Sequence, residues 1–225
     1  MNIIIEFDGV IADQQSAWYA AHVAATEAVG WSRLDTATFW RLIRTKGRQA
    51  DLLPAAKPTK LAEYWAKFDQ LIETDEFLGK LTLDEDCGGT ITALVKHADL
   101  RLVTLGANLD ARQQFLSQHG LMRFFKQFEK LDADPRRRPA ELKLLGKGAP
   151  RTVVVASSDT LARSASSAEL VCVGISTGSC TGPRLHQAGA GVVYKELGEL
   201  AQSLNTGAHD LIRAGLLPRS LDAPK

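Results

Sequence analysis

The chain has 225 residues, 45% of them hydrophobic and 24% charged, and 27 lysines and arginines against 26 aspartates and glutamates leave a formal net charge of +1. That length suits one ordinary domain with an inserted subdomain, or two small ones, and the near-neutral balance gives no global field to draw nucleic acid or an acidic membrane surface. No apolar run approaches the roughly 20 residues of a membrane helix, the N-terminus enters a strand without a signal-peptide layout, and Cys87, Cys172 and Cys180 are spaced irregularly as reduced thiols are, so a cytoplasmic protein with no nucleic-acid or membrane partner is expected.

Ile3-Ile4-Ile5 favours a strand covered on both faces. It runs into Glu6-Phe7-Asp8-Gly9, where carboxylates two residues apart point the same way on an extended chain and the glycine allows a sharp turn. Asp13 is placed to cap a helix over 14–29, alanine-rich and closed by Gly30. Asp35 opens a second helix through Phe39, Trp40, Leu42 and Ile43. A third, over 60–74, carries Leu61, Tyr64, Trp65, Phe68, Leu71 and Ile72 on one stripe. Turns at Lys46-Gly47-Arg48 and between Pro54 and Pro58 separate them. Residues 14–85 therefore read as an all-helical insertion.

Gly88-Gly89 then open a helix through Val95, followed by a strand over 100–105 and a helix over 111–119 that Asn108 or Asp110 caps and Gly120 ends. Residues 121–125 read as an apolar patch at the mouth of a loop. Helix 139–145, strand 152–156, helix 161–168, strands 170–175 and 192–194 and helix 196–204 keep the beat of a parallel α/β sheet. Right-handed crossovers bring the ends of 3–5, 103–104 and 153–156 to one edge, where ligands of open α/β sheets bind. The remainder, 206–225, is expected to pack as a terminal helix or to fray.

Three ordered stretches carry a family resemblance: EFDGVIAD from Glu6, LVTLGAN around Thr104, and AELVCVGISTG followed by GPRLHQAGAGVVYKELGEL. Over nearly the whole chain to about residue 204 they resemble the haloacid-dehalogenase superfamily, in its helical-capped, phosphoglycolate-phosphatase-like branch. The resemblance implies a three-layer Rossmann-like core of class α/β with a parallel sheet, formed by 1–13 and 86–205, an inserted all-helical cap over 14–85, and a C-terminal tail. It places Glu6 at the nucleophile position, where the family has aspartate, and Asp8 at the acid/base position. Thr104 takes the phosphate-binding hydroxyl position, and Arg138, before Pro139, the place of the family's lysine. Arg136, Arg137 and Arg138 read equally well as a solvated basic loop.

The fourth motif departs further. It reads Ala156-Ser157-Ser158-Asp159-Thr160-Leu161, and both of its acidic positions, Ser157 and Leu161, lack a carboxylate. Phosphoryl transfer by the family's route needs an in-line carboxylate, a second carboxylate to protonate the leaving oxygen, and Mg²⁺. Glu6 reaches about an ångström too far, and misplacement on that scale costs about 10²-fold. Metal binding is left to Glu6, the Asp8 carbonyl and Asp159, so Mg²⁺ is expected to bind weakly or not at all. The expectation is a hydrolase-like protein with impaired or lost phosphatase activity that takes an anionic small molecule or a protein partner into the cleft between core and cap. The alternative is a working Mg²⁺-dependent phosphomonoester hydrolase acting on a small phosphorylated metabolite.

Other residues are weighed beside these. Arg41, Arg44, Lys46 and Arg48 form a basic cluster around Gly47, with Arg48 the candidate substrate contact in the cap; one polar helix face explains them equally well. The five histidines form no metal-ligand pair and read as surface or capping residues. Trp18, Trp31, Trp40 and Trp65 are assigned to the small core of the cap. Ser157 and Ser158 lack a nucleophile elbow.

Overall fold

A computed structural model describes residues 1–49, 52–53, 57–207 and 211. Most of the tail over 206–225, and Pro54 of the second turn, lie outside the described residues. The chain opens with strand β1 (Asn2–Glu6) and the two-residue β2 (Ala12–Asp13), then helices α1 (Gln15–Ala28), α2 (Thr36–Lys46), α3 (Pro58–Ile72) and the single turn α4 (Asp75–Leu78). β3 (Thr82–Leu83) returns to pair antiparallel with β2. From there the order is α5 (Cys87–Leu94), β4 (Asp99–Thr104), α6 (Leu109–Gln118), β5 (Phe125–Lys130), α7 (Arg138–Leu145) and β6 (Thr152–Ala156). It closes with α8 (Asp159–Ser167), β7 (Val171–Ile175), α9 (Gly182–Gln187), β8 (Val192–Tyr194) and α10 (Leu197–Thr206).

Six of these strands form one parallel sheet in the order β5-β4-β1-β6-β7-β8. β1 is central because its side chains have a core to enter on either side. Ile3 and Ile5 join a cluster with Ile91 of α5, Leu116 of α6 and Leu200 of α10. Ile4 joins the opposite cluster with Leu142 of α7, Leu161 and Ala165 of α8 and Leu185 of α9. The two-residue alternation of a strand thus turns an unbroken isoleucine run into the middle of three layers. Each fully buried isoleucine contributes roughly 1.5–3 kcal/mol.

Helices α1–α4 keep a core of their own in which Ala21, Ala25, Phe39, Tyr64 and Phe68 are almost completely buried. His22 belongs to it. The sequence reading had it as a surface or capping residue, but it is wholly buried, its ring stacked on Phe39 with centroids 4.4 Å apart and Nδ1 2.9 Å from the Tyr64 hydroxyl. Its Nε2 accepts from the Leu34 amide at 3.1 Å, so the ring satisfies a loop amide from within the helical layer.

Several features escape the sequence pattern. Residues 121–125 read as an apolar patch at the mouth of a loop, and Phe125 and Phe128, three apart, do not show the two-residue period of a strand. A shift in the pairing of β5 with β4, from Leu100–Phe125 to Arg101–Gln127, puts both on the buried face. The β2–β3 ribbon and α9 are too short to carry a period.

Candidate active site

Four chain segments meet at the C-terminal edge of the sheet. Glu6 ends β1 in register with Val103 of β4, and Thr104 and Ala156 end the flanking strands. The chain turns at once after β1, with Gly9 at φ 84° and its amide donating to the Ala12 carbonyl at 2.8 Å. A glycine is needed there. A Cβ on Gly9 would stand 2.6 Å from Ser157 Oγ, and one on Gly178 2.5 Å from Ser157 Cβ, so Ser157 is clasped between the loops after β1 and β7.

Glu6 is 2% exposed and its carboxylate is turned into the start of α8. Its Oε2 accepts from the amides of Ser157 at 2.7 Å and Ser158 at 2.9 Å, and Oε1 from Ser158 Oγ at 2.5 Å. Ser157 Oγ donates to the Asp8 carbonyl at 2.7 Å and lies 3.3 Å from Glu6 Oε2. Ser158 caps α8, its Oγ accepting from the Leu161 amide at 3.1 Å. Glu6 therefore sits with its carboxyl group seated on the first turn of α8, where a helix start favours its ionised form. Burial pushes its carboxyl up to about 7; the donors from Ser158 and Ser157 pull it down, and the charge of Asp8 adds to the rise.

Asp8 is committed as well. Its Oδ2 accepts from the Thr104 hydroxyl, and its Oδ1 from Arg112 Nε at 3.0 Å. Thr104 is wholly buried, and its Oγ1 in turn accepts from the Gly106 amide at 2.9 Å. Arg112, 4% exposed, continues to Glu73 just past α3, with Nη1 2.9 Å from Oε2 and Nη2 3.3 Å from Oε1, and also donates to the Asn108 carbonyl at 3.0 Å. Burial works against the guanidinium charge, but Asp8 and Glu73 more than offset it and hold its pKa above the ordinary value. A Cβ on Gly106 would lie 2.0 Å from Arg112 Nη2, so the glycine makes room for this side chain.

A third knot lies beside these. Asp159 Oδ2 accepts from Arg163 at 2.5 Å and from Arg184 at 2.8 Å. Arg184 Nη1 also donates to the carbonyls of Ile43 and Arg44, both at 2.9 Å, at the end of α2. Above the three knots a cavity of about 860 Å³ separates the sheet edge from α1–α3.

Of the residues predicted from sequence, Glu6, Asp8, Asp159 and Arg48 line this cavity and Thr104 lies just beneath Asp8. Arg48 stands over the Trp65 ring at 4.9 Å and pairs with Asp69. Arg138 is not brought to the site. Its Nε and Nη2 donate at 2.7 Å to the carbonyls of Asp132 and Ala133, closing the loop between β5 and α7. Arg112, Glu73 and Arg184 were missed, because each reads in sequence as an ordinary polar helix or loop residue. Trp18 and Trp65 pack on the core of the helical layer, as expected, and also line the cavity.

No family model matches the chain, and no curated protein matches it in sequence. Solved structures do. A haloacid dehalogenase-like hydrolase from Streptococcus pneumoniae superposes with a TM-score of 0.72 at 11% identity, covering 90% of this chain and 97% of that one. A predicted phosphatase from Clostridium acetobutylicum gives 0.69 at 11% identity, with 91% and 98% covered. A predicted phosphoglycolate phosphatase from Haemophilus somnus gives 0.64 at 15% identity, with 90% and 96% covered. The chain has the haloacid-dehalogenase-like fold.

Proposed function

We propose that this haloacid-dehalogenase-like chain is a non-hydrolytic binding protein, holding an anionic small molecule in the cleft between its sheet edge and the helices of 14–85, which act as a cap. One observation carries the reading: both carboxylates that would do the chemistry are engaged inside the protein. Glu6 is bound by the start of α8, and Asp8 by Arg112 and Thr104. A nucleophile must direct a free lone pair at phosphorus, and an acid/base group must reach the leaving oxygen. Neither carboxylate is oriented for that, and a carboxyl raised to about 7 is half protonated near neutrality.

The residues present do not fit Mg²⁺. The ion takes near-octahedral oxygen ligands and is usually held by one or two carboxylates. Here the Ser157 hydroxyl lies between the Glu6 carboxylate and the Asp8 carbonyl and hydrogen-bonds the carbonyl, while Asp159 is held by two guanidinium groups. Among the described residues no three histidine, cysteine, aspartate or glutamate side chains are grouped to hold a metal.

The test is hydrolysis of an aryl phosphate and a panel of small phosphate esters by the purified protein, with and without Mg²⁺, beside Glu6→Gln. Rates equal to those of the variant, with or without metal, are the expected result. Metal-dependent turnover that disappears in Glu6→Gln would overturn the reading and make this a phosphatase with a glutamate nucleophile.

A further inference from the structure

The charges around the cavity are not evenly spread. On the floor, Asp8 and Glu73 share the single cation Arg112, so that end carries excess negative charge even with Glu6 neutral. Beside it, at the first turn of α8, Arg163 and Arg184 share the single carboxylate of Asp159. Lys46 lines the same cavity: a Cβ on the adjoining Gly47 would be 2.8 Å from Arg184 Nη2, and the Lys46 ammonium has no ion-pair partner among the described residues. Arg163, Arg184 and Lys46 thus bring three cations to the cavity against the one anion Asp159. The donors that a phosphate would need on the floor are already taken, the Ser157 and Ser158 amides by Glu6 and the Thr104 hydroxyl by Asp8.

Aromatic side chains line the same cavity. Arg48, two residues from Lys46, lies over Trp65, whose ring meets Phe68 edge-on at 5.4 Å, and Phe68 meets Trp18 edge-on at 5.5 Å. Gln14, one helical turn before Trp18, lines the cavity, and its side-chain amide, which has no hydrogen-bond partner among the described residues, keeps access to that space rather than being sealed off as Trp65 Nε1 is.

We propose that the ligand is an amphipathic organic anion. Its flat apolar body lies along Trp18 and Trp65, its anionic head meets Lys46, Arg163 and Arg184, and a polar substituent on the body reaches Gln14. This rests on the binding reading above and adds to it where the anion sits and what it is attached to. The head meets side-chain cations rather than the amides and hydroxyl that Glu6 and Asp8 already occupy, so a carboxylate serves as well as a phosphate, and an anion with no apolar body gains little. A cavity of about 860 Å³ has room for such a molecule, small-molecule sites being roughly 300–1,000 Å³.

The test is titration calorimetry with 6-hydroxynaphthalene-2-carboxylate, 2-naphthyl phosphate, glycerol phosphate and inorganic phosphate. The two naphthyl anions are expected to bind within about fivefold of each other, and the two small anions at least about tenfold more weakly. Lys46→Ala and Arg163→Ala, both at exposed side chains, should each weaken the naphthyl carboxylate roughly tenfold, and Trp65→Ala and Gln14→Ala roughly fivefold. Lys126→Ala, at a lysine paired with Asp99, should change nothing. Melting curves check that each variant folds. Inorganic phosphate binding as tightly as the naphthyl anions, naphthyl binding indifferent to Lys46 and Arg163, or no carboxylate binding at about 1 mM would each overturn the inference. The carboxylate cannot be hydrolysed, so these outcomes are separate from release of naphthol from the phosphate, which would overturn only the non-hydrolytic reading.

Discussion

Glu6 and His22 are buried groups whose titrations oppose each other. Burial pushes Glu6 from 4.5 up to about 7, so its contribution to stability is full below 4.5 and is lost as pH rises through about 7. Burial pushes His22 from 6.5 down to about 4, so its contribution is full above 6.5 and is lost as pH falls toward about 4. Between 4.5 and 6.5 the two slopes cancel. The lowered carboxyls of Asp35, Asp99, Asp132 and Asp134 act below 3.8, outside this window. The wild-type melting temperature should therefore be nearly flat from pH 4.5 to 6.5, whereas Glu6→Gln, which keeps only the histidine slope, should melt progressively lower as pH falls. The term removed is about 3 kcal/mol across the full Glu6 shift. Parallel curves for the two proteins, from thermal melts at each pH, would show that Glu6 titrates normally.

At the scale of elements, the helix starts bind the sheet edge together. Ser158 caps α8 and donates to Glu6 with the same hydroxyl, so Ser158→Ala should cost about 2 kcal/mol in urea unfolding, against roughly 1 kcal/mol for an ordinary cap. Asn108 caps α6 through the Ala111 amide at 3.1 Å, and its side-chain amide donates to the Glu73 carbonyl at 3.1 Å. Asn108→Ala should cost about 1 kcal/mol and loosen the end of α3 as well. A cost no larger than that of an exposed serine in the middle of a helix would mean that these contacts add nothing. The Asn108 cap is legible in sequence, as a short polar residue before a helical pattern, whereas Ser158, inside a run of serines, is not marked out as one. That the same residues also reach another segment is not legible, since nothing local distinguishes a cap with one partner from a cap with two.

Across the whole molecule, two arginines fasten the helices of 14–85 to the sheet edge. Arg112 joins Asp8 to Glu73, and Arg184 joins Asp159 to the last carbonyls of α2. Arg112→Met would leave two largely buried carboxylates without their cation, and breaking a buried pair in this way costs about 3–5 kcal/mol. Arg184→Met should instead speed amide exchange over residues 43–47 with a smaller loss of global stability, measured by hydrogen exchange. If exchange there stayed at the wild-type rate, Arg184 would not be holding α2.

By itself the sequence determined the layered fold and the sheet edge at which its motif residues gather. Its repeating patterns, isoleucines buried on both faces of β1 and helices at regular spacing, are local and survive without knowledge of partners. It also located Glu6, Asp8, Thr104 and Asp159 at that edge, because motif residues sit at strand ends. Only the tertiary structure decided what those groups do. Residues 96 to 152 positions apart engage the carboxylates of Glu6 and Asp8, and Arg138 turned out to hold a loop. A hydrogen bond depends on distances between segments brought together by folding, and no period or spacing along the chain encodes which buried carboxylate an arginine will meet.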